Sequence, residues 1–228
     1  MRATVVTIRT VIQPGNKTVD HTIVIANGRA RSGDELDRWR LFDLDHDRVT
    51  FVDDISRTFR TESFDSLAGS RRAKLNAPLP ELIPRAQFVV THATKPILGV
   101  TTTQSFVRLG GYVRELWIGQ HPSIPPHLFA MMAASRPPSS PIDPAMKAVD
   151  AALMEVKGFP LAEHAELTYG NKKMVVDKSV VSVEQRDVPV GWLSVGKGYQ
   201  DTGAPVTPSP SASLKAGYAR GLGGGAAR

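Results

Sequence analysis

The chain has 228 residues, 41% of them hydrophobic, no cysteine and a net charge of +6. The missing cysteines exclude a disulfide scaffold, thiolate zinc sites and a cysteine nucleophile, while the apolar fraction is ample for a packed core. Three of the six excess charges, Lys215, Arg220 and Arg228, lie in a terminal stretch without acids. The rest are scattered among Asp and Glu, which reads as no nucleic-acid partner, because a nucleic-acid binder concentrates its basic residues on one face or helix.

Met1-Arg2 runs directly into a strand pattern, so no signal peptide is read there. No run approaches the ~20 apolar residues of a membrane span. Thr4–Ile12 is rich in β-branched residues and stops at Pro14-Gly15, a strand followed by a turn. Thr22–Ala26 and Arg29–Ser32 flank Asn27-Gly28, a pair whose tolerance of positive φ makes it a strong hairpin signal. Arg38–Leu44 and Arg48–Val52 follow, and Thr58–Thr61 closes the meander. Trp39 and Leu41 alternate with Phe42 and Leu44, so both faces of that strand are expected to be covered.

Residues 63–74 read as a short helix capped by Ser63 or Asp65, with Arg71, Arg72 and Lys74 on a solvated face. After a proline-rich loop over Asn76–Pro84, Gln87–Thr91 is a strand, and Thr101–Leu109 pairs with Tyr112–Ile118 across Gly110-Gly111. His127–Ala134 is an almost wholly apolar helix. A second helix is capped by Asp143, with Pro144 in its first turn and Gly158 just past its end. Its stripe is Ala145, Val149, Ala152, Leu153 and Val156. Lys147, Asp150 and Lys157 lie on the other side with Ala151 and Met154, an apolar excess. Pro160–Tyr169 and Lys172–Val183 form a last hairpin across Gly170-Asn171. One domain over residues 1–203 is expected, with a disordered Pro/Ser/Ala/Gly-rich basic tail over 204–228.

The chemical motifs reduce to ordinary structure. Asp43, Asp45, Asp47 and Asp54 have calcium-loop spacing, but Arg48 stands where the loop needs glycine, so a solvated turn is the reading. Asp201-Thr202-Gly203-Ala204 matches the tetrapeptide of retroviral-type aspartic proteases without its second copy, so a loop is the reading. Ser194 and Lys197 have nucleophile-pair spacing in a segment too rich in glycine for the required helix. The six histidines form no ligand pair at helical spacing, and no phosphate loop or dinucleotide fingerprint is present, so no metal, no cofactor and no catalytic residue is assigned. Met131, Met132, Met146 and Met154 fall in the two helical segments, a composition suited to a soft apolar partner or to an ordinary core.

Several short words resemble a family of uncharacterised exported bacterial proteins in the LolA-like lipoprotein-carrier superfamily. They are Arg40–Leu44, Val49–Asp53, Arg57-Thr58-Phe59, Ile97-Leu98-Gly99, Val113–Ile118, and Val180–Val183 leading to Val195–Tyr199. The resemblance spans roughly residues 3–200 and departs from the family in the missing leader and the long tail. It implies an α+β fold, a strongly curved antiparallel half-barrel with helices packed in its concave face. It also implies a periplasmic or envelope location and space for the acyl chain of a lipid or lipoprotein.

Two function classes follow. The first is a non-enzymatic envelope protein holding a lipid or acylated peptide in an apolar cleft lined by Trp39, Leu41, Phe51, Phe106, Trp117, Phe129, Met132, Val149 and Leu153. The alternative is a structural or interaction protein whose core is packed by its own helices. The discriminator is whether the helices carry more apolar surface than the sheet can cover, and Ala151 and Met154 point towards an excess. No pattern in the chain specifies an oligomeric state.

Overall fold

The computed structural model describes residues 1–35, 37–76, 86–136 and 144–203. The proline-rich stretch to Pro84, the Asp143 cap and the 204–228 tail lie outside the described residues, as do the side chains of Arg71, Arg72, Lys74 and Met146. The strands are β1 (Arg2–Gln13), β2 (Lys17–Ala26), β3 (Arg29–Glu35), β4 (Arg38–Asp43), β5 (Arg48–Asp53), β6 (Thr58–Ser63), β7 (Gln87–Ile97), β8 (Val100–Leu109), β9 (Tyr112–Gly119), β10 (Phe159–Tyr169), β11 (Lys172–Asp187) and β12 (Gln200–Asp201). The helices are α1 (Phe64–Asn76), α2 (Leu128–Ala134) and α3 (Pro144–Met154), and a 3-10 turn spans Val190–Leu193. No helix among the described residues is long and apolar enough to cross a membrane.

All twelve strands join one open sheet in the order β12-β6-β5-β4-β3-β2-β1-β11-β10-β9-β8-β7. Every pairing is antiparallel except that of β12 with β6. The meander and the later hairpins expected from the turn residues are therefore joined at the centre by β1 against β11, a pairing with no local signal. The turns behave as their residues dictate. Asn27 (φ 50°) and Gly28 (φ 67°) both take the positive φ of a two-residue hairpin. Ser63 Oγ accepts from the Ser66 amide at 3.2 Å and caps α1.

Two local devices shape the long strands. Pro160 sits at a register break in β10, where a missing N–H is tolerated, and the residue after it, Leu161, is fully buried. Gly158 is four residues beyond the end of α3, not beside it, and its role is different from a helix stop. At φ 115°, it brings the chain so close to β9 that a Cβ would lie 2.8 Å from the Gly119 carbonyl.

Strand alternation splits the apolar residues between two faces. The inner face contributes Val6, Ile23, Ile25, Ala30, Phe42, Val49, Val107, Leu116 and Val180 to one cluster with α1, α2 and α3. Within it α3 packs against α1, α2 and β8. Met154 is thereby buried to 7%, while Ala151 packs half-buried against the same cluster. Asp150, expected on the wet side of α3, is also buried, at 4%. Each large aliphatic side chain so enclosed stabilises the fold by roughly 1.5–3 kcal/mol.

The outer face of the first meander is covered by the chain's own C-terminal segment. Val188, Leu193, Val195 and Tyr199 pack on Ala3, Val5, Val24, Trp39, Leu41, Val52 and Phe59. The sequence shows no strand pattern between Val183 and the expected end of the domain at residue 203. Instead Gln200–Asp201 forms β12, with Gln200 N donating to Arg57 O at 2.9 Å and Thr202 N to Phe59 O at 2.9 Å. Backbone groups left free at the β6 edge by the meander are satisfied in this way.

Candidate functional site

The residues nominated for an apolar cleft do not come together. Phe129, Val149 and Leu153 are buried in the inner cluster at 5%, 0% and 0% exposure, with Phe51 and Met132 half-buried against it. Trp39 and Leu41 lie on the opposite face, under the C-terminal segment. Phe106 and Trp117 also point outward, because the inner positions of β8 and β9 are taken by Val107 and Leu116. In β4 the inner residues are Arg40 and Phe42, with Leu44 just beyond its end. Choosing between two apolar faces was beyond strand alternation, which gives the period but not the side.

Polar groups hold the helical layer from inside, and none of them stood out in the sequence. Arg40, 7% exposed, donates from Nη1 to the Met132 carbonyl at 3.3 Å and to Ser135 Oγ at 3.0 Å. Arg136, just beyond α2, donates to Asp150 of α3 at 3.0 Å. Arg114 of β9 meets Glu163 of β10 at 2.5 Å with side-chain exposures of 4% and 10%. Burial pushes the Glu163 pKa up, but the charges of Arg114, Lys178 and Arg136 and the Arg114 hydrogen bond together outweigh it and hold the carboxyl below its ordinary range. Burial likewise opposes the Arg114 charge, yet Glu163 and Tyr112 keep its pKa above the usual value. These side chains tie α2 to the sheet and to α3. A sequence signal existed only in hindsight: arginines at inward positions of two strands and a lone acid on an apolar helix.

The outer surface offers different chemistry. Over the first meander, Asp54 accepts from Trp39 Nε1 at 2.9 Å and from the Tyr199 hydroxyl at 2.7 Å. Arg31 lies 3.9 Å from the centroid of Trp39 and 5.9 Å from that of Trp192. Trp39, Asp54 and Tyr199 are thus engaged with one another, while Trp192 stays 44% exposed.

Beyond it, an open groove of about 360 Å³ crosses β1, β11, β10 and β9 and reaches Lys95 of β7. Its lining includes Arg9, Lys95, Glu115, Trp117, His164 and Asp177. Glu115 accepts from Trp117 Nε1 at 2.6 Å and from Gln104 Nε2 at 2.9 Å, fixing the indole plane. The Lys95 ammonium lies over that ring, 3.9 Å from its centroid. His164 is bracketed by Asp177 at 2.6 Å and Glu166 at 3.1 Å, and these bonds raise its pKa.

The remaining motifs take structural places. Asp43 accepts from the His46 amide in the β4–β5 turn. Ser194 Oγ bonds the Gly191 carbonyl, and Asp201 accepts from the Gly203 amide on an exposed edge. Among the described residues no group of three His, Asp or Glu is arranged to hold a metal ion.

Fold and surface together define a mostly antiparallel α+β protein with an open sheet, a helical layer on one face and a polar groove on the other. No known family's sequence pattern matches the chain, and no curated protein matches it. Among solved structures, PNGF-II overlaps with a TM-score of 0.49 at 11% identity, over 90% of this chain and 31% of that one. A second crystal form of PNGF-II gives 0.45 at 11% identity, covering 88% and 31%. The chain thus spans less than a third of PNGF-II. An outer membrane lipoprotein-sorting protein domain from Vibrio parahaemolyticus, described there as putative, overlaps with a TM-score of 0.19 at 7% identity, covering 81% and 85%. At such scores and identities the overlaps establish neither a shared family nor a shared activity.

Proposed function

We propose that this chain is a non-enzymatic interaction protein in which the sheet wraps the three helices as a half-barrel and the helical layer is a permanent part of the core. The observation that carries this reading is the sealed and tethered inner face. Leu128, Ala133, Val149 and Leu153 are each 0% exposed, and Arg40 grips the end of α2. An acyl chain worth about 0.8 kcal/mol per methylene would have to displace those contacts before gaining its own. The half-barrel geometry is supported by one cluster that joins β4 and β5 to β8 and β9 through the helices. The non-enzymatic reading is supported by Ser194 and Asp201, whose polar atoms bond local backbone on the surface.

Native mass spectrometry of the purified chain, with organic extraction of any co-purifying material, tests this. The expected result is a clean apo mass and no uptake of added fatty acid or phospholipid. A stoichiometric lipid would establish the second reading, an envelope carrier of an apolar ligand. That reading is favoured by Phe51, Phe64, Phe88 and Met132, which pack half-buried around the helices and form an apolar rim. A screen with ester, peptide and phosphate substrates checks the assignment as a non-enzyme. Activity that vanishes on one side-chain change would end it.

A further inference from the structure

The outer groove is a cavity whose outward side chains are not consumed by packing the core. We propose that it binds a neutral pyranose saccharide, with Trp117 as the stacking platform. Three features converge. First, the volume of about 360 Å³ lies at the lower end of small-molecule sites and is open along one side, as a short oligosaccharide requires.

Second, the formal charges of the lining cancel. On its outward positions Arg9 and Lys95 balance Glu115 and Asp177, with His164 between them. An anionic or cationic ligand meets equal charge of its own sign there, whereas a ring bearing several hydroxyls can use alternating donors and acceptors. Third, the indole is held in one plane by Glu115 at 2.6 Å, so its face is presented without further ordering. The hydroxyls of a sugar lie around the ring edge and leave its C–H face apolar, which suits an aromatic surface flanked by polar groups.

The ring face is occupied by Lys95, which stacks on it from the exposed strand β7. An exposed stacking contact of this kind is weak. Lys95 therefore acts as a displaceable cover, and the saccharide takes its place on the indole while the ammonium swings to solvent.

The test is binding of cellotriose, chitotriose and maltotriose to the full chain, followed by saturation-transfer NMR and by calorimetry at millimolar sugar. At least one sugar is expected to bind. Trp117→Ala should weaken that binding about tenfold or more, and Lys95→Ala should tighten it about two- to fivefold by removing the competing contact. Circular dichroism confirms that each variant is folded. If Trp117→Ala is not, Asp177→Asn, at a more exposed position on the groove wall, should weaken the same binding. The proposal is overturned if none of the three sugars binds, or if binding persists unchanged in a folded Trp117→Ala or Asp177→Asn chain. Lipid binding under the helices leaves this outcome unaffected, because the two surfaces lie on opposite faces of the sheet.

Discussion

Arg40, on the inner face of β4, donates to the main-chain carbonyl of Met132 at 3.3 Å across 92 residues of sequence. A helix of seven residues has little stability of its own. Its position is set by this bond and by apolar packing. Arg40→Ala is expected to destabilise the chain by about 1–3 kcal/mol, the loss of two buried hydrogen bonds from a charged donor. Arg40→Lys should recover only part of that, since an ammonium cannot reproduce the guanidinium fork. Urea denaturation followed by circular dichroism measures both.

Arg114 and Glu163 form the most enclosed ion pair among the described residues, with exposures of 4% and 10%. Arg114→Met alone should cost about 3–5 kcal/mol because it strands a buried carboxylate. Adding Glu163→Leu should restore most of the loss, which a double-mutant cycle reads directly. The Glu163 pKa is depressed on folding. Its stabilising contribution is therefore complete above the unfolded value and disappears as pH falls through the folded one. Wild-type stability should drop on acidification more steeply than that of the double variant.

His164 behaves in the opposite sense. Its bonds to Asp177 and Glu166 raise its pKa, so its contribution is full below the unfolded value and is lost as pH rises through the folded one. The ring is 41% exposed and the effect on stability is correspondingly small. A proton-NMR titration should place the His164 midpoint above ~6.5, the ordinary value for histidine. Asp177→Asn should bring the midpoint down, and a midpoint unchanged by that substitution would contradict the contact.

Leu193, 5% exposed, anchors the C-terminal segment on the outer face. Leu193→Ala should cost about 2–5 kcal/mol if the segment is part of the cooperative fold. It should also loosen Trp39 and Trp192, giving a red-shifted indole emission. A loss much below that range, with unchanged emission, would show that the segment docks without stabilising the sheet.

Gly158 tests the close approach of two chain segments. With φ 115° and a Cβ position 2.8 Å from the Gly119 carbonyl, Gly158→Ala combines backbone strain with a clash. A loss exceeding about 1 kcal/mol is expected, in contrast to the stabilisation that Gly→Ala gives at compatible sites. Thermal unfolding of the single variant measures it.

The amino-acid sequence by itself determined the local elements, because their signals are local. Asn27-Gly28, Gly110-Gly111 and Gly170-Asn171 mark hairpin turns through their backbone preferences, and Ser63 starts α1 through its hydroxyl. Alternation also required both faces of β4 to be covered, and both are. What covers each face was decided only in three dimensions. Trp39 and Leu41 look the same in sequence whether they meet a helix or the segment carrying Leu193 and Tyr199. The pairing of β1 with β11 and of β12 with β6 joins residues far apart in the chain, where no turn residue records the contact. The same holds for Arg136 and Asp150, which read as surface charges until the packing of α2 on α3 buries Asp150 and brings Arg136 onto it. Short-range conformational preference is written residue by residue. The choice of partner depends on the apolar area and charge that distant segments bring to the same place, and that is fixed only when the whole sheet closes on its helices.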